Sequence, residues 1–522
     1  MNRLLPFAIA IAFHLGACAP SEPKADFTFI NGAEPESLDP AIITGQPEGR
    51  IVMGLFEGLT AHNEKADVVP GVAERWEISP DGKHYTFHLR HDAKWSNGDP
   101  VTANDFIQSW QRTLAPETAS EYAYQLYYIK NALALNEGKI KNPPPLAVRA
   151  PDDFTLEVEL NNPTPFFLDL CSTPPLYPVH MASVKKYGDD WIKPGRMVSN
   201  GAYALETWRL NDRIRLRANT NYWDRAHVHS QTMDILPTSQ PTTAFNMYST
   251  GSADLMLDKG LVPFMLLNKL RGRPDFHSSS FFGNMFIRFN VKRKPFTDVR
   301  VRKAFALAID KQRLVTKITR QGEKIADSLV PPIPGYTSPE GLGHDPEQAR
   351  KLLADAGYPD GKGFPDVSYL YTKSDLNEGI ATELQDMLAK TLGVHIQLRP
   401  QEWKVYLKSM SDLDYDFCRA SWVGDYSDPN TFMDMFVTDG GNNRTGWSNA
   451  TYDKLIADAA KEPDVKKRNA IFQQAEKLLC SDETPIVPLY YYVGVEFFDP
   501  SKITGIKPNF LDDHPLKYFS KH

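Results

Sequence analysis

Five successive segments in the last third decide the architecture: VSYLY (367–371), NEGIATELQDMLAKTL (377–392), VHIQL (394–398), WKVYLKSM (403–410) and YDFCRASW (415–422). The first, third and fifth are short and rich in β-branched and aromatic residues, and they read as strands. The second is too long for an ordinary strand, stops at Gly393 and reads as a helix; the fourth reads as a shorter one. Strand, helix, strand, helix, strand in this order predicts an α/β domain with a largely parallel sheet. The rhythm extends outward. Upstream, Asp298 is positioned to cap a helix running to about Ile318. Asp345-Pro346-Glu347 opens another helix with a cap, a first-turn proline and an acid favoured by the helix dipole. Its apolar stripe is Ala349, Leu352, Leu353 and Ala356, and Gly357 stops it. Downstream, Tyr452–Ala460 and Val465–Leu479 are amphipathic helices, and Ile486–Phe498 is an extended aromatic run able to cross back to the first part of the chain.

The first part has a different rhythm. Ser79-Pro80-Asp81-Gly82-Lys83 is a turn, and His84–Arg90 alternates as a strand with Tyr85, Phe87 and Leu89 on one face. Thr102 caps a helix carrying Phe106, Ile107, Trp110 and Leu114 at helical spacing. Thr155–Leu160 is a second alternating strand, and the turn-rich middle contains strands at Trp208–Ala218 and Met233–Pro237.

Composition bounds the function. The chain has 522 residues, 42% of them hydrophobic and 24% charged, enough for about three globular domains. A formal net charge of -7 argues against a nucleic-acid partner, which would require a basic face. Met1-Asn2-Arg3 followed by the apolar run Leu4–Ala17 reads as an export signal, too short to span a bilayer. It ends in Leu15-Gly16-Ala17-Cys18, which resembles a bacterial lipobox. That predicts a signal peptide over 1–17, lipidation at Cys18 and a tether over 18–25, with a plain export signal as the alternative. Of the other cysteines, Cys171, Cys418 and Cys480, at most two can pair; they have no metal-ligand spacing and are expected to be small buried hydrophobes.

Catalytic constellations are absent from the sequence. It has no P-loop, no G-x-G-x-x-G and no G-x-S-x-G. His84, His88 and His91 read as strand histidines, and Asp512-Asp513 as a solvated turn. The expectation is therefore not an enzyme, with no cofactor and no metal; an exported, lipid-anchored hydrolase is the rival.

A resemblance adds a function to this. Pro70-Gly71-Val72-Ala73-Glu74-Arg75-Trp76 leads into the strand His84–Arg90, then Asp92-Ala93-Lys94-Trp95-Ser96-Asn97-Gly98, Pro100-Val101-Thr102-Ala103 and Asp105-Phe106. This composite resembles the signature of solute-binding proteins of peptide ABC importers (extracellular solute-binding protein family 5). Ser37-Leu38-Asp39-Pro40, Asn200-Gly201-Ala202-Tyr203, Phe289-Asn290 and Ile486–Tyr492 agree with it, while Ser109-Trp110-Gln111-Arg112 and Gln401-Glu402-Trp403-Lys404 place the likeness nearest the oligopeptide-binding branch.

The resemblance implies an α/β, two-lobed periplasmic-binding-protein-like fold with mixed sheets, an extra domain and a ligand cleft between the lobes. By position, domain I is 26–57, 182–282 and 493–522, domain II is 58–181 and domain III is 283–492. It implies a monomer on the periplasmic face of a bacterial envelope that captures oligopeptides and delivers them to an importer permease with its ATPase subunits. A non-peptide solute such as a metal chelate or oligosaccharide, or a murein peptide, is the alternative within the family. Carried over residue by residue, Asp425 grips the ligand ammonium, and Ser421 and Val423 offer backbone groups to an added strand. Arg419 lies near the ligand, and Trp403, Tyr122 and Tyr492 wall the cavity. Arg288 stands where the best-known relative has an acid, and is a candidate for the ligand C-terminus or for an inter-domain salt bridge. Thr44, Met410 and Asn377 also depart from that relative.

Overall fold

The computed structural model describes residues 23–522; the signal peptide and Cys18 lie outside the described residues. Two long strands organise it, Phe276–Phe289 and Ile486–Phe497. They pair antiparallel, from Phe276 opposite Phe497 to Arg288 opposite Ile486, and the register breaks between Ser280 and Asn284. Their two ends have different neighbours. On one side the sheet continues through Leu255–Leu257, Phe27–Gly32, Thr232–Pro237, Arg213–Ala218 and Tyr203–Arg209. On the other it continues through Phe417–Val423, Ser368–Thr372 and Gln397–Gln401. One eleven-stranded sheet thus joins two halves, and the chain crosses between them along this pair, as the aromatic run 486–498 suggested.

The α/β expectation for the last third holds. Ser368–Thr372 pairs parallel with Gln397–Gln401 and with Phe417–Val423. The helices between are Asp375–Leu392 and Trp403–Ser411. The first is capped by the Ser374 side chain, which accepts from the Asn377 N–H, and it stops at Gly393. Gly393 has φ +68°, and a Cβ there would collide with the Asp360 carbonyl, so glycine is required twice over. The helix expected from Asp298 to Ile318 is interrupted. It spans Val299–Ala308, and Asp310 caps a new turn by accepting from the Arg313 N–H, because a short acidic side chain competes with helix continuation. The run 208–218 folds back on itself: Tyr203–Arg209 and Arg213–Ala218 pair antiparallel, with Asn211 at φ +57° in the turn, a conformation asparagine tolerates.

In the first part a separate antiparallel sheet has the order Ala73–Ile78, His84–Leu89, Thr155–Glu159, Val148–Asp152. The helix Ala103–Leu114 covers it. The Asp105 carboxylate accepts the Thr102 N–H at 2.8 Å, fixing the helix start. Phe106 and Trp110 are fully buried, and Trp110 Nε1 donates to the Leu176 carbonyl at 2.8 Å. Burial of a side chain the size of Phe106 contributes about 1.5–3 kcal/mol. The hydrophobic core is divided: one cluster holds Phe29, Trp95, Trp110 and Tyr203, another Phe305, Tyr369, Leu388 and Phe417, a third Phe432, Phe436 and Phe472. Cys171, Cys418 and Cys480 are buried and free. No helix among the described residues is long and apolar enough to cross a membrane.

Candidate binding cleft

The strand Phe417–Val423 enters the space between the halves and ends at Gly424-Asp425. The Gly424 N–H donates to the Phe282 carbonyl at 2.7 Å. Backbone groups alternate in direction along a strand, so the N–H and C=O of Ser421 and Val423 face the opposite side. There the neighbouring strand Ser368–Thr372 pairs only as far as Phe417 and Cys418. Residues 421–423 therefore present an unpaired strand edge to the cleft. The Arg419 carbonyl, which faces the same way, is taken by the Tyr406 hydroxyl.

Two cavities meet at this edge. The smaller, about 410 Å³, is lined by Thr44, Arg50, Tyr122, Gln125, Ser421 and Val423. The larger, about 780 Å³, is lined by Tyr124, Tyr128, Asn430, Asp434 and Arg444. Trp422 and Asp425 line both. These volumes suit small organic ligands. The Asp425 carboxylate accepts from the Tyr124 hydroxyl at 2.9 Å. Among the described residues no Lys, Arg or His pairs with it, and burial pushes its pKa up to about 6. Asp434 accepts from Asn430 Nδ2 at 3.1 Å; burial, and then the Asp425 charge, push it up to about 7.

The halves touch across the cleft. The Phe166 ring stacks on Tyr426 at 4.2 Å, and the Tyr128 and Tyr426 hydroxyls are 2.9 Å apart. The Ser427 N–H donates to the Asp169 carboxylate at 2.5 Å. His62 holds Asp169 in place, bonding Asp169 at 2.7 Å and Asp513 at 2.8 Å. Burial opposes its charge, but the hydrogen bonds to the two carboxylates outweigh it and push the imidazole pKa up to about 10. Asp512-Asp513 is thus not a solvated turn: both line the smaller cavity, and both are committed to histidines. Among the described residues Glu496, Asp512 and His514 have metal-ligand proximity. Burial again opposes the charge on His514, yet its hydrogen bonds to Asp512 and Glu496 hold its pKa up to about 9.

Of the residues singled out in the sequence, Asp425, Ser421, Val423 and Tyr122 converge on the smaller cavity. Tyr122 stacks on Tyr124 at 5.6 Å. Arg419 Nη2 donates to the Tyr492 hydroxyl at 3.0 Å, and Tyr492 lines a separate space of about 250 Å³ with Phe281 and Phe510. Trp403 stands apart from both cavities at Asp425, 57% exposed and stacked on Tyr406 at 5.7 Å. Arg288 is 4% exposed and lies over Phe286 at 5.4 Å, and it forms no salt bridge among the described residues. Thr44 lines the smaller cavity, Met410 packs with Tyr406, and Asn377 Nδ2 donates to the Thr372 carbonyl. Tyr124, Trp422, Asp434 and Arg444 escaped the sequence reading. The tyrosine cluster at 122–128 was the signal available for the first; nothing local marked Arg444.

The family described as bacterial extracellular solute-binding proteins, family 5 Middle, matches residues 67–444. The periplasmic oligopeptide-binding protein OppA of Salmonella typhimurium is 39% identical, covering 100% of this chain and 97% of its own. The Escherichia coli murein tripeptide binding protein MppA superposes with a TM-score of 0.85 at 36% identity, covering 95% of this chain and 98% of its own. Haemophilus influenzae OppA in complex with RPPGFSPFR superposes with a TM-score of 0.81 at 32% identity, covering 95% and 98%.

Proposed function

The chain belongs to the bacterial extracellular solute-binding proteins of family 5, and from that premise we propose that it captures oligopeptides in the cleft between its lobes and delivers them to an ABC importer. The observation that carries the reading is Asp425, a half-buried carboxylate without a cationic partner among the described residues, set at the end of an unpaired strand edge. A peptide supplies both complements, an ammonium for the acid and a ladder of amides for the edge. Ser421 and Val423 pair with ligand backbone, Tyr122 walls its first residues, and Trp422, whose buried Nε1 has no acceptor, donates to it. Arg419 and Tyr492 act behind the strand as a support. The contacts of Tyr426 and Ser427 with the other half keep the closed lobes together, so ligand that touches both sides favours closure.

The finer points belong to the same proposal. Domain I is 26–57, 182–282 and 493–522, domain II 58–181 and domain III 283–492. The mature chain is anchored by a lipid on Cys18 and acts as a monomer on the periplasmic side, with a permease and its ATPases as partners and no catalytic step. A murein peptide is the second reading, favoured by the likeness to a murein tripeptide binder. Calorimetric titration with Ala-Ala-Ala and with N-acetyl-Ala-Ala-Ala tests the reading. Binding of the free amine and a large loss on acetylation are expected; equal affinity for the two would remove Asp425 from the site.

A further inference from the structure

We propose that Glu496, Asp512 and His514 form a zinc site beside the smaller cavity, with water as the fourth ligand. Glu496 lies on Ile486–Phe497, one of the two strands along which the chain crosses between the halves. Asp512 and His514 come from the C-terminal segment, and Asp512 lines the cavity. Asn509 holds that segment in its turn: its Oδ1 accepts the Asp513 N–H at 3.1 Å, and its Nδ2 donates to the Asp513 carbonyl at 2.7 Å. One ligand atom from each of the three side chains lies within 4.8 Å of the other two. Glu496 is 2% exposed and His514 5%. His514 Nε2 stands 3.3 Å from Asp512 Oδ1 and 3.5 Å from Glu496 Oε1.

His62 shows how the protein completes a histidine between two acids by itself, with one ring nitrogen to each carboxylate, at 2.8 Å and 2.7 Å. Charge-assisted bonds are about 2.7–2.9 Å long. At His514 both acids instead crowd a single nitrogen, which carries at most one proton. Both contacts are long, and Glu496 Oε1, sealed from solvent, finds no well-formed hydrogen bond among the described residues. A carboxylate oxygen buried in this way is costly unless a cation meets it. The spacing is that of atoms around a metal: Zn–N and Zn–O distances of about 2.0–2.2 Å set the corners of a tetrahedron about 3.3–3.6 Å apart. Gly494 keeps the space open. It shares a strand face with Glu496, and a Cβ there would collide with Asp512 Oδ1 and crowd Glu496 Oε1. Arg50 does not fill the space: its Nη2 reaches the other oxygen of Asp512, Oδ2, at 3.8 Å, while its Nη1 donates to the Leu257 carbonyl at 3.3 Å. It orients that ligand from outside. A set of one imidazole and two carboxylates suits zinc better than magnesium or calcium, which take oxygen alone. The two carboxylates balance the charge of the ion, which takes the place of the proton they share through His514. Bound there, zinc ties the C-terminal segment to the crossing strand, one residue from the Asp513 that holds His62.

The test uses the full-length chain without a histidine tag, stripped of metal by a chelator, and its Glu496→Gln and Gly494→Ala variants. Each is titrated calorimetrically with zinc chloride and with magnesium chloride, and melted with and without zinc. Wild type is expected to bind one equivalent of zinc, to melt at a higher temperature with it, and to ignore magnesium. Glu496→Gln keeps an oxygen for the His514 N–H but loses the charged ligand, and should weaken zinc by about a hundredfold or more. Gly494→Ala, which touches no ligand covalently and only fills the space, should weaken it by about tenfold or more. In both variants the melting temperature should cease to respond to zinc. No zinc binding in wild type overturns the proposal. So does zinc retained within about threefold by Glu496→Gln, which is then held elsewhere on the chain, and so does magnesium binding as tightly as zinc. If a variant fails to fold, cobalt added to wild type decides: the intense visible absorption of a tetrahedral ion sustains the site, and the pale spectrum of an octahedral one sinks it. No peptide is present in any arm, so the outcome is independent of the peptide reading.

Discussion

Arg215 and Arg288 are both buried on strands of the same eleven-stranded sheet, and they are treated oppositely. Arg215 sits directly across from Asp234 and is gripped at both ends, Nε to Oδ1 and Nη2 to Oδ2, each at 2.7 Å. Arg213 adds a third contact to the same carboxylate at 3.1 Å. Arg288, on the long strand Phe276–Phe289 itself, has aromatic faces and no acid among the described residues. Past the end of the neighbouring strand Phe417–Val423, Asp425 shows the reverse, an acid without a cationic partner among the described residues. Where the chain completes its own electrostatics, the charges serve the fold. Where it leaves a charge open beside a cavity, as at Asp425, the proposed partner is the ligand.

The contrast is most easily broken at its structural end. Asp234→Ala removes the carboxylate that grips a buried guanidinium at both ends and should lower stability by about 3–5 kcal/mol in urea denaturation. Asp425→Asn, measured the same way, should cost nothing or raise stability, because it deletes a charge that burial already disfavours. If the two variants lose equal stability, Asp425 has a partner in the fold and the distinction collapses. Binding sharpens the contrast from the other side. Asp425→Ala should weaken a free-amine tripeptide by about 1.5–3 kcal/mol, the worth of a charge-assisted hydrogen bond, while scarcely changing an N-acetylated one. Parallel losses for both peptides would make Asp425 a structural residue.

Local chemistry made much of the fold legible. Asp298, Asp345 and Gly393 act as the caps and stop their positions implied, since capping is decided within a few residues. The break at Asp310 and the antiparallel return at Asn211 were missed because each depends on one polar residue winning over its neighbours. The strand edge at 421–423 could be anticipated only through the resemblance; its openness depends on where Ser368–Thr372 stops pairing, a long-range fact. Asp512-Asp513 looked like surface because adjacent acids usually are, and the histidines that bury them lie at 62 and 514. Arg444 sits in a glycine- and asparagine-rich loop that reads as solvent-exposed, and only the fold makes it a wall of the larger cavity. Charges left unpaired are invisible to a sequence, because a partner far along the chain cannot be excluded from it.

Acidity gives the smallest effect and separates the two kinds of charge in a single experiment. Burial holds Asp425 at about 6, Asp434 at about 7 and Glu476 at about 7, all above the roughly 4 of an unfolded carboxyl. The native state therefore binds more protons than the unfolded one across this window, and stability falls as pH rises through it. His62 and His514, held at about 10 and about 9, contribute stability that is complete below the unfolded value near 6.5 and is lost as pH climbs through the folded values. All five groups act in the same direction, so the ligand-free protein should melt at a higher temperature at pH 5 than at pH 8. Affinity should run the other way. An ammonium requires the ionised form of Asp425, and with a pKa of about 6 only about a tenth of it is ionised at pH 5. A free-amine tripeptide should then bind about tenfold more weakly at pH 5 than at pH 7.5, roughly 1.4 kcal/mol. Asp425→Asn should flatten the affinity profile and leave most of the stability slope, which Asp434, Glu476 and the histidines still supply. Affinity that strengthens with acid, in step with stability, would mean that the ligand meets Asp425 in its protonated form, and the ammonium assignment would be wrong.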